Sequence, residues 1–149
     1  LPLYMFHQFE EHYHDRFRSF VNQFIGHGLD VLTPEAAFVI NSLGVWVYIF
    51  ISLYLAIYCN LALGLIAIYL TLVNAVTHVM AALIGRRYNP GLVTAIFAFL
   101  PIGVWSAWVV SDASHATPSM HLLACGIAVL LHILIIGHIQ LRFRRLRAK

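Results

Sequence analysis

The chain has 149 residues, 61% of them apolar and only 10% charged, with a mean hydropathy of +0.83; an ordinary soluble domain carries roughly 25% charged residues. That balance excludes a soluble globular protein and defines an all-α integral membrane protein. The net charge of +3 comes from arginines flanking apolar runs, so it reports topology and excludes nucleic acid as a partner.

The first predicted element is a helix from residue 3 to about 25. Phe6, Phe9, Tyr13, Phe17, Phe20 and Phe24 recur at steps of three and four and wind into one aromatic stripe. On the same wheel His7, Glu10, Glu11 and His14 share an arc beside the stripe, together with Arg18. Gln8, His12, Asp15 and Arg16 take the remaining arc, which would face water or headgroups. The stripe is expected to pack against the membrane helices while the His/Glu arc lines a pocket. The plainer reading of this amphipathic or partly embedded helix is an interfacial segment with a solvated charged side. A start at Leu instead of Met fits a trimmed or processed chain, with LPLYMF as the end of a longer apolar lead.

Four transmembrane helices follow. Ala36 to Gly85 holds no Asp, Glu, Lys or Arg and is long enough to cross twice, with the softest reversal at Tyr58, Cys59 and Asn60. The spans are read as about 36–58, 61–85, 91–110 and 119–140, with SDASHATP as a polar loop before the last and Pro101 bending the third. With four crossings, all nine Lys and Arg residues fall on one face. The expectation is a multi-pass inner (cytoplasmic) membrane protein with both termini cytoplasmic, the basic tail meeting anionic membrane lipids. The organisation is one membrane domain over 1–149: a helix and linker over 1–35, a four-helix bundle over 36–140 and a basic tail over 141–149. Cys59 and Cys125 have no partner spacing, so no disulfide framework or thiolate metal motif is expected.

The chemistry-bearing residues sit in two places. His7 and Glu11, four apart, can hold one metal from a single helix face, and Glu11-x-x-His14 is half of a di-iron element whose second half is missing. In the second span Asn74 and His78 are four apart, with His78 roughly 10 Å inside the basic end. Polar groups at that depth are costly unless they face a cavity or a partner. Both clusters lie at the basic end, so His78 is expected close to His7, Glu10 and Glu11. His132, at similar depth in the last span, is a further candidate. Free amides at the start of the third span, with Arg86, Tyr88 and Gly91 alongside, make a candidate anion pocket; the simpler reading is a tight interhelical turn.

HQFEE (His7, Glu10, Glu11), NAVTHV (His78) and YNPG (Tyr88, Pro90, Gly91), with LP before the first and LVTA after the last, resemble the HXXEE family of small prokaryotic membrane proteins. The resemblance runs from about Leu1 to Ala95. The family is named for its motif and has no known function, so it implies site residues and no reaction.

Three functions fit these residues. The first is a metal-dependent membrane enzyme, with a hydrolase among its forms, in which His7, Glu10, Glu11 and His78 hold Zn, Fe or Mn. Glu10 or Glu11 would act there as general base on a lipid-like or other apolar molecule near the cytoplasmic face. The second is a proton- or ion-linked transporter or channel, which needs polar residues along the whole crossing. The third is a non-catalytic module binding lipid or protein. A cluster confined to one end favours the enzyme.

Overall fold

The computed structural model describes residues 2–148; Leu1 of the leading Leu-Pro and Lys149 of the basic tail lie outside the described residues. Every regular element among the described residues is helical. Helix α1 (Pro2–His12) is followed by a break at residues 13–15 and by α2 (residues 16–25). Four long apolar helices complete it: α3 (Pro34–Tyr58), α4 (Leu61–Gly85), α5 (Leu92–Ser114) and α6 (Pro118–Arg147), each long and apolar enough to cross a membrane.

The helix ends are written locally. Thr33 caps α3 by accepting from the Ala36 amide at 3.2 Å, with Pro34 in the first turn. Asn60, at the expected reversal, extends and caps α4 by accepting from the Ala62 amide at 2.9 Å. Ahead of Pro101, which has no amide hydrogen to give, α5 widens into a π-helical turn at Ala95–Phe99. Helix α6 stays helical through its basic residues to Arg147.

Helix α4 is the centre of the bundle and packs against α3, α5 and α6. One core joins Tyr4 of α1 to Val45, Ile49, Leu70, Ala75, Ala95 and Phe99. A second, at the basic end, joins Val21, Val31, Leu32 and Ile139. Large apolar side chains such as Ile84 and Phe97 point outward, as lipid-facing surface requires. The three basic groups meet at one end of the bundle. Arg18 bonds Asp30 at 3.3 Å, Arg142 donates to the Asp30 carbonyl at 2.8 Å, and Arg87 stacks on Phe24 at 3.9 Å.

The N-terminal segment differs from the expected single helix in two ways. First, His14 and Asp15 take left-handed backbone angles, φ 54° and 58°, and end α1. Asp15 tolerates that conformation and pairs with Arg18 on the next turn, so Arg18 is drawn away from the His/Glu arc. A straight helix over 3–25 would be about 35 Å long and could not place His7 in the bundle and Val21 in the second core together. Second, the aromatic stripe faces outward in α1, where Phe6, Phe9 and Tyr13 are exposed, while Tyr4, His7 and Glu11 are buried. Beside lipid the apolar face has no reason to seek the interior, and the polar face does.

Candidate metal centre

Tyr4, His7 and Glu11 follow one another at steps of three and four, so burying one face of α1 buries both polar side chains together. His78 enters from α4. Its Nε2 lies 3.1 Å from Glu11 Oε1, and His7 Nε2 lies 3.6 Å from the same oxygen. The three ligand atoms are all within 4.8 Å of one another, and His7 and His78 cross nearly perpendicular at 4.9 Å between ring centroids. All three residues are buried.

The surrounding hydrogen bonds fix the proton on each imidazole. The Asn89 amide donates to the His78 carbonyl at 2.9 Å, so its oxygen faces His78 Nδ1 and must accept a proton from it at 2.6 Å. Thr94 has one hydroxyl proton, given to Glu10 Oε2 at 2.6 Å, so its oxygen accepts from His7 Nδ1 at 2.7 Å. Each ring therefore carries hydrogen on Nδ1 and turns a free Nε2 lone pair toward Glu11. His7 Nε2 has no hydrogen-bond partner although it is fully buried.

Gly91 makes this approach possible. Its φ is +98°, and a Cβ there would sit 2.5 Å from His78 Cε1 and 2.9 Å from His7 Cε1. The backbone of the Tyr-Asn-Pro-Gly turn lies directly on both rings. Asn89, the unspecified position of that turn, is buried beneath it.

Glu10 points elsewhere. One oxygen accepts from Tyr88 O–H at 2.9 Å and from the Val93 amide at 3.1 Å; the other accepts from the Thr94 amide at 2.8 Å and the Thr94 hydroxyl. The amides at the start of α5, expected to take an external anion, are thus filled by a carboxylate of the same chain. Burial opposes ionisation of Glu10, but the Thr94, Tyr88 and Val93 hydrogen bonds outweigh it and hold the carboxyl below its ordinary range. For Glu11 burial also opposes ionisation; when the facing imidazoles of His7 and His78 carry a second proton on Nε2 in place of a metal ion, their hydrogen bonds and charge more than offset it and hold the carboxyl down to about 2. Tyr88 is pushed up to about 12 by burial and then by Glu10.

Of the residues singled out by sequence, the structure brings together His7, Glu11 and His78, and places Glu10, Tyr88 and Gly91 immediately around them. Asn74 and His132 line an adjoining cavity of about 230 Å³ that Glu11 and His78 also border. His14 is exposed at the helix break, and Arg86, also exposed, ends α4 in a left-handed conformation; neither reaches the cluster. Sequence reasoning missed Thr94 and Asn89, which orient the imidazoles, and it put His12 on the water-facing arc. His12 Nε2 is 3.8 Å from Glu11 Oε2, held by Asn41 through a chain that continues to Gln8 and Trp46. A polar residue flanking the Pro-Gly turn, and Thr in LVTA, were the only local signals for the first two.

The donor set fits a small divalent ion. For metal–ligand bonds of 2.0–2.2 Å a tetrahedron has edges of about 3.3–3.6 Å, and the two measured spacings to Glu11, 3.1 and 3.6 Å, bracket that range. Two imidazoles and a carboxylate, with no thiolate, suit Zn, Fe or Mn. Fold and cluster together define a multi-pass all-α membrane protein with a buried His/His/Glu group able to coordinate a metal ion.

The family described as "Protein of unknown function with HXXEE motif" matches residues 1–106, and the chain belongs to it. His7, Glu10 and Glu11 are the lettered positions of its motif. No curated protein and no solved structure matches the chain.

Proposed function

We propose that the protein is a metal-dependent integral-membrane enzyme, of hydrolase type, acting on a lipid-like or other apolar substrate at the basic end of the bundle. The observation that carries this reading is the pair of Nε2 lone pairs aimed at one buried carboxylate, each fixed by a hydrogen bond on the far side of its ring. His7, His78 and Glu11 would hold the ion. A bound divalent ion supplies Lewis acidity toward a carbonyl or phosphoryl oxygen. Glu11, the one carboxylate that borders the cavity, is placed to take a proton at Oε2, while Glu10 acts through Thr94 by orienting His7. The mostly apolar cavity gives an apolar substrate room beside the ligands, and the cluster's position at the basic end of the bundle suits a lipid.

A transport pathway would need open polar groups along the whole crossing. At the far end Tyr69, Ser111 and His121 are bonded to one another, which favours the enzyme. We place the basic end in the cytoplasm, with both termini, on the distribution of Arg and Lys. Cysteines introduced at Asp112 and Arg145 should then label from opposite sides of the membrane, and labelling from one side removes the four-crossing arrangement.

The activity is tested by incubating protein in nanodiscs with total membrane lipid and following each lipid class by mass spectrometry. Loss of one class with matching product, stopped by a chelator and restored by one metal, is expected. Unchanged lipids with metal-replete protein would count against the enzyme.

A further inference from the structure

The segment joining α1 to the second core is loosely held for something so close to the metal centre. From His12 to Phe20 no residue is buried, whereas Glu11 before it and Val21 after it are. Val21 sits beside a firm anchor, because Asn22 clasps the Leu32 backbone twice, donating to its carbonyl at 3.1 Å and accepting from its amide at 2.8 Å. Residues 13–20 are thus a strap between two fixed points, and a stretch with few buried contacts opens at low cost.

The strap lies over the cavity. Phe17 and Phe20 line it, with α3, α4 and α6 supplying the other walls. Phe17 is nearest the chemistry: its ring centroid is 5.9 Å from that of His78 and 6.4 Å from that of His12. Phe17 is itself only partly buried, so a single side chain separates this part of the cavity from the surroundings of the bundle.

The strap begins at the two left-handed residues His14 and Asp15, φ 54° and 58°. Such backbone conformations persist where neighbouring contacts impose them. Here the contacts are those of Arg18, which pairs with Asp15 and reaches Asp30 at 3.3 Å. Both ion pairs are exposed, and exposed pairs are weak. A strained joint held by a weak surface latch has the properties of a lid.

We propose that residues 13–20 are a lid on the cavity: Arg18 is its latch, Phe17 its plug, and lifting from the His14–Asp15 joint admits an apolar substrate from the membrane leaflet at the basic end. The proposal rests on the reading of the cavity as the substrate site and names the route into it. The cavity wall matches such a guest, being mostly apolar with no Lys or Arg among the described residues. When the lid is closed, Phe17 covers His78 and keeps water from the ligands.

The test reads entry into the cavity directly. Gly44 lines it, and a Cβ there meets nothing nearer than 4.0 Å, so Gly44→Cys places a thiol inside. The full chain carrying Gly44→Cys and Cys125→Ala is put in nanodiscs, loaded with metal and exposed to N-ethylmaleimide. Mass spectrometry follows adducts at position 44, with the exposed native Cys59 as reference. Arg18→Ala should speed labelling at position 44 about two- to fivefold. Phe17→Ala should speed it about tenfold or more, and adding Arg18→Ala to it should bring no further gain, because a latch cannot matter once the plug is gone. A rate unchanged by Arg18→Ala, or two increases that multiply in the double variant, overturns the lid. If Phe17→Ala fails to assemble, the Arg18→Ala rate decides alone. Labelling needs neither metal nor activity. Latch-dependent entry in a chain that binds no metal therefore keeps the lid and removes the enzyme reading, whereas metal-loaded protein without that dependence removes the lid alone.

Discussion

Histidines sit at both ends of this bundle, and their surroundings differ in one respect. At the end away from the arginines His121 is closed on both sides: the Ser111 hydroxyl gives its proton to the Ala107 carbonyl, so Ser111 accepts from His121 Nε2 at 3.0 Å, which leaves Nδ1 to accept from Tyr69 at 3.0 Å. Both ring nitrogens of His121 are thus occupied. At the basic end the Nδ1 sides of His7 and His78 are bonded as firmly, but the Nε2 sides converge on Glu11. The first arrangement is complete in itself and ties three helices together; the second needs something more at its centre. Membrane burial of a histidine is therefore not the signal of a site. The open, inward-facing nitrogen is.

The comparison can be broken in order of expected effect. Gly91→Ala strikes hardest, because it forces a left-handed residue and a methyl group onto both imidazoles; a loss of about 3 kcal/mol in unfolding stability is expected, and an unchanged denaturation midpoint would mean that the turn does not lie on the rings. Thr94→Val keeps the volume but removes the oxygen that accepts from His7, and metal affinity measured by competition with a chelating dye should fall about 10–100-fold. His121→Phe, the matching change at the closed end, should cost only about 1–2 kcal/mol and leave metal affinity untouched. Acid has the mildest effect. Glu10 and Glu11 both have depressed folded pKa values, so the stability they add is full above their ordinary 4.5 and is lost as the pH falls from there toward about 2. Thermal melts of the metal-free protein should show no loss between pH 7 and pH 5, with the fall beginning below 4.5; a loss already at pH 6 in the metal-free protein contradicts the assignment.

Much of the bundle was legible because it follows from local rules. The uncharged run from Ala36 to Gly85 dictated two crossings, Asn60 marked the reversal, and the arginines set which ends meet. His78 announced itself by depth, and HQFEE by spacing. What was not legible depends on partners distant in sequence. Periodicity could count the aromatic stripe of α1 but not choose its direction, because the habit of packing apolar faces inward belongs to water and reverses beside lipid. Nothing at His14 or Asp15 reveals that Arg18 and Asp30 will hold a left-handed break. Glu10 and Glu11 are neighbours of one chemical type, and only the arrival of α5 separates them, turning one to a helix terminus and the other to two imidazoles. Thr94 and Asn89 matter for the protons they direct, which no spacing rule encodes.

The central claim is that the inward nitrogens and Glu11 hold a metal ion, and elemental analysis tests it most directly. Wild-type protein, Glu11→Ala and His121→Phe are purified in detergent under identical conditions and their metal content is measured per chain. The account predicts about one divalent ion per chain in the wild type and in His121→Phe, and none in Glu11→Ala. Equal metal in all three, or none in any after exposure to Zn, Fe and Mn, would contradict it.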